Sequence, residues 1–302
     1  MRVGELTTFG VGGECRLVVR VTTPEELVAA VIKCEQDKIP YRLIAGGSNV
    51  VWQDAPFAGA VIKYAVAGEL NKNLTITGST IFCEAGVILA DLINLAIKHN
   101  LAGLESLSGI PGTVGGAIVG NAGAYGQGIS DKLIAIVMWD GKRVRVINKS
   151  AGQFKYRDSI FKHKDYLVLA ATFKLERGEK KVLSKKAREI IKLREKKYPP
   201  QLKCPGSFFK NILAQDVSKA VLKKIDPTKI THGKIPAGYL LEVVGARGLK
   251  SGGVKVADYH GNLIINTGKG KYQEVKQLAQ KLKGLVISKF GLRLEEEIRY
   301  LP

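Results

Sequence analysis

Apolar residues fall in short β-branched runs and in mixed segments of helical length, so the chain reads as strands and helices together. Cys15–Val21 is a strand pattern. Thr23-Pro24-Glu25-Glu26 then starts a helix that carries on to about Gln36. Thr23 is its N-cap, Pro24 takes the first helical position and Glu26 completes a capping box. Tyr41–Ala45 is a second strand, ending at Gly46-Gly47-Ser48-Asn49 before the apolar Val50-Val51-Trp52. Strand, helix, strand and glycine turn make a small α/β unit. Ala60–Tyr64, Leu74–Thr77 and Thr80–Glu84 follow as strands, and Leu89–Asn100 as a helix. Leu133–Asp140 and Lys142–Asn148 form a hairpin around Asp140-Gly141, and Tyr166–Leu175 adds another strand. Lys180–Lys197 is a basic helix with apolar residues at Val182, Ile190, Ile191 and Leu193, stopped by Tyr198-Pro199-Pro200. That proline pair is the expected domain boundary. Beyond it the pattern predicts helices near Ala214–Ile225, Ala237–Val244 and Tyr272–Gly284. Strands are expected near Val254–Val256 and Leu263–Asn266, with a last strand over Leu292–Tyr300.

Between the Leu89–Asn100 helix and the hairpin lies a segment of another kind. Gly103–Gly126 holds eight glycines and no Lys, Arg or His. It is too apolar for a linker. Glycine allows φ > 0 and close approach of backbone N–H groups to a ligand, so the segment suits either a buried turn or a cradle for a phosphate-bearing cofactor. Neither G-x-x-x-x-G-K-[ST] nor a strand-to-helix G-x-G-x-x-G is present. Gly46-Gly47-Ser48-Asn49 has the same two readings, a tight turn or a pyrophosphate holder.

Composition changes the picture in one respect. The chain has 302 residues, enough for two or three domains, with 45% hydrophobic and 25% charged residues. No apolar run reaches membrane-spanning length, and the first residues lack the apolar region of a signal peptide, so a cytoplasmic protein is expected. Cys15, Cys34, Cys83 and Cys204 have no metal spacing and read as free thiols. The formal net charge of +20 is the unusual value. It suits anionic partners, either nucleic acid, an anionic surface or phosphorylated small molecules.

Three polar clusters could carry chemistry: Tyr156-Arg157-Asp158-Ser159, Gly206-Ser207-Phe208-Phe209-Lys210-Asn211 and Leu294-Glu295-Glu296-Glu297-Ile298. Arginine can neutralise a carboxylate or enolate, serine can deliver a proton, and glutamate can supply or steady one. Each cluster also has a purely structural reading, as an ion pair, a cap or a wet strand face. Hydrolase and metalloenzyme signatures (G-x-S-x-G, H-E-x-x-H, H-x-E…C-x-x-C) are absent.

In order and spacing these motifs resemble UDP-N-acetylenolpyruvoylglucosamine reductase, the flavoenzyme family that completes UDP-N-acetylmuramate in peptidoglycan synthesis. The resemblance starts at Thr7-Thr8-Phe9-Gly10-Val11-Gly12-Gly13 and runs through Gly46–Asn49, Ser108–Gly116, Asn121–Gly126 and the three polar clusters. It continues through Ala237–Glu242 and Gly252–Asn266. It implies an α+β, three-domain enzyme with an FAD-binding fold of the vanillyl-alcohol oxidase type and a C-terminal α/β substrate-binding domain. The expected parts are 1–67 completed by 292–302, then 68–198, then 199–291. No long insertion lies between Tyr166 and Tyr198, as in the family's short subtype.

Carried over by motif, the resemblance gives residue roles. Gly46, Gly47, Ser48 and Asn49 line the pyrophosphate of a non-covalent FAD. Gly112, Thr113, Gly115, Gly116, Asn121, Ala122 and Gly123 line its other side, and Tyr156 is near the flavin. Arg157, Ser207 and Glu297 are the catalytic arginine, proton donor and glutamate. Lys197, Lys210 and Asn211 meet the diphosphate or uridine, and His260 and Asn262 touch substrate. NADPH is the implied co-substrate and UDP-N-acetylglucosamine enolpyruvate the implied substrate, with neither nucleic acid nor membrane as partner. The implied chemistry is hydride transfer through flavin to the enolpyruvyl C3, then protonation at C2 by Ser207. One departure stands out: Ile212 occupies a position where the family usually has proline, which would free the loop after Ser207. Another FAD oxidoreductase of the same fold and a basic nucleic-acid-binding protein are the alternative readings.

Overall fold

The computed structural model describes residues 1–66 and 73–302. The expected boundary at 67/68 lies outside the described residues. The chain divides into two compact units. One comprises Leu17–Gly46 and Ala58–Pro199; the other comprises Met1–Arg16, Gly47–Phe57 and Pro200–Pro302. The chain passes between them at Pro199-Pro200, where two successive residues without backbone N–H groups end the preceding helix.

In the first unit, Tyr41–Ile44 runs parallel to Phe57–Tyr64 in a three-stranded sheet with Cys15–Val21. The helix Pro24–Gln36 provides the crossover between strands. Thr23 caps it by accepting from the Glu26 N–H at 3.2 Å. The Glu26 carboxylate reaches one residue further back than a capping box requires, to the Thr22 N–H at 2.7 Å. A five-stranded antiparallel sheet follows, ordered Val144–Asn148, Leu133–Trp139, Leu167–Lys174, Thr80–Glu84, Leu74–Thr77. Its hairpin turn is an Asx turn. The Asp140 carboxylate accepts from the Lys142 and Arg143 N–H groups, and Gly141 takes φ +95°. Leu27, Ile62, Ile81, Leu92 and Phe173 are fully buried in this unit's core.

The helix Lys180–Lys197 forms where expected but turns differently. Leu183, Ala187 and Ile190 are its buried stripe, whereas Val182 and Leu193 are 57% and 54% exposed. Residues 183, 187 and 190 recur at the helical i, i+4, i+7 spacing, and 182 and 193 lie about a quarter-turn around the helix from them, on its exposed flank.

In the second unit, Lys250–Ser251, Val254–Val256 and Ile264–Asn266 form an antiparallel sheet against the helix Tyr272–Phe290. This helix runs past its expected end at Gly284, which has open space around it, and stops at Gly291 in the left-handed conformation. The single helix expected over Ala214–Ile225 is instead a 3-10 turn, Ala214–Asp216, and a helical turn, Lys219–Leu222. Val217 is extended, and the Ser218 side chain starts the second turn by accepting from the Val221 N–H. The last strand is shorter than expected. Arg299–Leu301 runs parallel to Val50–Trp52, a partner only three residues long. Residues 292–298 make only a single bridge, between Glu296 and Phe209. Phe9, Val51, Phe208, Phe209 and Leu240 anchor this unit's core.

Candidate active site

Two groups of expected residues are brought together, one in each unit. In the second unit, the segment after Ser207 pairs with the acidic segment near the C-terminus. The Glu297 N–H donates to the Phe208 carbonyl at 2.8 Å, and the Lys210 N–H donates to the Glu295 carbonyl at 2.8 Å. Phe208 and Phe209 bury their rings edge to face, with centroids 5.1 Å apart, which fixes the segment that directly follows Ser207. The Lys210 ammonium is ion-paired to the exposed Glu295 carboxylate. Asn49 Nδ2 donates to the Glu297 carbonyl at 3.1 Å, so Asn49 is tied directly to the acidic segment. Asn211 Oδ1 accepts from the Ala237 N–H at 3.1 Å and thereby caps the helix Ala237–Val243. Ile212 lies in a two-residue ladder with Lys234–Ile235, a setting suited to a residue with an N–H. The ladder supplies a constraint in place of the ring that proline would have contributed.

His260 and Asn262 belong to the turn between Val254–Val256 and Ile264–Asn266. His260 Nδ1 lies 3.4 Å from Glu242 Oε1, which also accepts from the Gly261 N–H at 3.1 Å. Burial works to raise the Glu242 carboxyl, but the Gly261 N–H, Arg247 and His260 outweigh it and hold the group below its usual value. Asn262 is 3% exposed, with both amide atoms bonded to the Phe209 backbone. Its side chain is occupied within the protein.

In the first unit, Tyr156 and Arg157 form the tip of a turn closed by reciprocal backbone bonds between Lys155 and Asp158, each 3.1 Å. Arg157 has φ 56°, a conformation uncommon for a residue with a side chain and characteristic of functional turns. Asn121 Nδ2 to the Lys155 carbonyl and Ser159 Oγ to the Val119 carbonyl pin this turn to the glycine-rich segment, and Lys162 Nζ braces it from within by donating to the Arg157 carbonyl. A Cβ on Gly123 would lie 3.6 Å from Arg157 Nη1. The Arg194 guanidinium feels the charge of Arg157. Burial depresses its basicity first and Arg157 adds to that, against opposing effects of Tyr198 and Tyr125. Arg194 and Lys197 both face the Tyr198 ring, at 5.2 and 5.1 Å from its centroid. Two neighbouring guanidinium groups favour an anion beside them.

Comparison with known proteins decides the family. Residues 15–146 match the model of an FAD binding domain, and residues 198–301 match the C-terminal domain of UDP-N-acetylenolpyruvoylglucosamine reductase. The reductase of Solibacter usitatus is 38% identical over 296 residues, covering 98% of this chain and 93% of that protein. That of Carboxydothermus hydrogenoformans is 36% identical, covering 98% and 90%. The chain belongs to the UDP-N-acetylenolpyruvoylglucosamine reductase family. The crystal structure of the reductase from Thermus caldophilus aligns over 100% of this chain and 98% of that one, with a TM-score of 0.75 at 29% identity. The chain is therefore an FAD-dependent oxidoreductase of peptidoglycan synthesis that uses NADPH, as the family does. This membership sets aside the nucleic-acid-binding reading.

The first unit has features that fit a flavin nucleotide. A Cβ on Gly46 would come within 2.7 Å of the Gly112 α-carbon, so two glycine turns pack backbone against backbone. Gly112 itself has φ +115°. Thr113 caps the short helix Val114–Val119 by accepting from the Gly116 N–H, leaving the glycine at 116 exposed. Asn121 Oδ1 and Ser108 Oγ are buried and have no hydrogen-bond partner among the described residues. These acceptors fit a ligand that offers hydroxyl or imide donors. Ser108 escaped the residue-level reading because a serine among glycines carries no distinguishing local signal. Gly115 packs against Ala85, with a Cβ position only 2.8 Å from the Ala85 Cβ, and Ala122 uses both backbone groups in bonds to Ala117 and Ile129.

Proposed function

We propose that this chain reduces UDP-N-acetylglucosamine enolpyruvate to UDP-N-acetylmuramate in the cytoplasm, with Arg157, Ser207 and Glu297 as its catalytic groups and a three-part domain division. Gly46, Gly47, Ser48, Asn49, Gly112, Thr113, Gly115, Gly116, Asn121, Ala122, Gly123 and Tyr156 hold the flavin nucleotide. When bound, the flavin supplies hydride, taken from NADPH, for the enolpyruvyl C3. Ser207 holds the proton destined for C2. A serine hydroxyl is a weak acid, so it gives up this proton only to a base as strong as an enolate. Arg157 neutralises the negative charge that develops on the substrate carboxylate, and Glu297 stabilises it as a protonated acid donating a hydrogen bond. Because Lys210 is paired to Glu295, its charge is partly neutralised and Ser207 depends chiefly on the strength of the incoming base. Lys197 and Lys210 draw the diphosphate, with Asn211 and His260 shaping the surface around it.

The observation that carries this reading is the backbone pairing of Glu297 with Phe208, which puts the acid beside the residue that follows the serine. Its test is Ser207→Ala, read one half-reaction at a time. Reduction of the bound flavin by NADPH is expected to remain at the wild-type rate. Reoxidation by the enolpyruvyl substrate is expected to fall by roughly two to four orders of magnitude, as for loss of a general acid. Retention of both rates removes Ser207 from the role.

A further inference from the structure

Asn262 is bound too fully to the protein for the substrate-contacting role its motif suggested. Its Nδ2 donates to the Phe209 carbonyl at 2.8 Å and its Oδ1 accepts from the Phe209 N–H at 2.8 Å, while its own carbonyl accepts from the Phe208 N–H at 3.1 Å. An asparagine amide used in this way imitates a neighbouring peptide group. On the other edge of the same segment, Phe208 and Lys210 pair with Glu297 and Glu295. Phe208–Lys210 is thus a short middle strand, held by Asn262 on one side and by the acidic segment on the other.

The serine precedes this strand directly. On its far side Gly206 has φ +87°, open space where a Cβ would stand, and a backbone N–H bonded to the Cys204 sulfur. Phe208 and Phe209 thus hold Ser207 from its C-terminal side. The Asn262 turn is itself fixed. Gly261 N–H donates to Glu242, whose other carboxylate oxygen accepts from Arg247, and Gly238 leaves no room for a Cβ beside His260.

We propose that Asn262 is a positioning residue that holds the Ser207 hydroxyl in register with Glu297. This rests on the assignment of Ser207 as proton donor. Misplacement of a reacting group by about 1 Å costs on the order of 100-fold in rate. Removing the amide leaves the buried Phe209 N–H and carbonyl without partners and frees the strand to shift. An aspartate is the sharper probe. Ionised, it still accepts from the Phe209 N–H but opposes the Phe209 carbonyl; protonated, it donates to that carbonyl and restores both bonds.

The experiment measures both half-reactions of the flavin-loaded enzyme for wild type, Asn262→Ala, Asn262→Asp and Ser207→Ala, together with substrate Kd. For both Asn262 variants we expect unchanged flavin reduction by NADPH, Kd within about twofold, and reoxidation slowed by roughly 10- to 100-fold. In Asn262→Asp the reoxidation rate is expected to recover as pH falls, relative to wild type, whereas Asn262→Ala shows no such recovery. Amide exchange at Phe209 is expected to speed up in the same variants and under the same conditions. Reoxidation within twofold of wild type in a folded Asn262 variant overturns the inference, as does parallel loss of both half-reactions. Should Asn262→Ala not fold, Asn262→Asp decides alone, since its protonated form replaces both bonds. Lack of acid recovery in reoxidation and Phe209 exchange, or its failure to fold at any pH, then counts against the inference. If Ser207→Ala itself reoxidises normally, the proton-donor assignment has failed. If Ser207→Ala is inactive while the Asn262 variants are not, only the positioning role has.

Discussion

At the scale of single residues, the glycines separate into those required by packing and those left open for a ligand. Gly46 belongs to the first class, because its added Cβ would meet backbone at 2.7 Å and neither turn can yield without moving the other. Gly46→Ala is expected to destabilise the protein by about 1–3 kcal/mol and to yield preparations depleted in flavin, read by thermal melts and the visible absorbance of the purified protein. Gly116 belongs to the second. A Cβ there finds its nearest neighbours at 3.5 and 3.7 Å, ordinary contact, and alanine favours the helix by up to about 1 kcal/mol. Gly116→Ala is therefore expected to keep or raise the stability of the flavin-free protein while weakening flavin retention. Equal flavin retention in wild type and Gly116→Ala would remove Gly116 from the flavin cradle. The sequence marked both glycines alike. Only the contacts around each distinguish them.

At the scale of elements, local signals placed most helices and strands but not always their faces or lengths. The Thr23 cap and the Asp140-Gly141 turn are governed by residues within four positions, and both form as the sequence indicates. The Lys180–Lys197 helix shows what local pattern leaves open: it has apolar residues on more than one side, and the surrounding core selects Leu183, Ala187 and Ile190. Leu183→Ala is expected to cost about 2–5 kcal/mol in denaturant unfolding, and Leu193→Ala, on the exposed side, within about 0.5 kcal/mol. A large cost at Leu193 would place that face against something other than solvent. The turn at 257–263 carries a pH signature. Glu242 is held below its ordinary value of 4.5, so its contribution is fully present above that pH and is lost as pH falls through the lower folded value. The stability gap between wild type and Glu242→Gln is expected to be constant near neutrality and to close below about pH 4.5, read as thermal midpoint against pH.

At the scale of the whole molecule, a net charge of +20 is expected to raise the rate of capture of polyanionic small molecules such as NADPH and a sugar nucleotide. Added salt is expected to lower kcat/KM for both, while flavin reduction at saturating NADPH stays constant. Insensitivity of kcat/KM to salt would leave the lysines unexplained by capture. No helix among the described residues is long and apolar enough to cross a membrane. By itself the sequence determined the family, the ordered set of glycine turns and polar clusters, and the elements whose signals lie within one or two turns of chain. Tertiary structure alone decided that Asn49 reaches Glu297 across 248 residues, that Asn262 serves Phe209 across 53, and that the final strand is three residues long. The reason is physical. Capping, turn formation and β-branched preference act between neighbours and leave their mark in the local residues. A backbone N–H shows nothing of which distant carbonyl it will meet, since every residue except proline offers the same donor and acceptor.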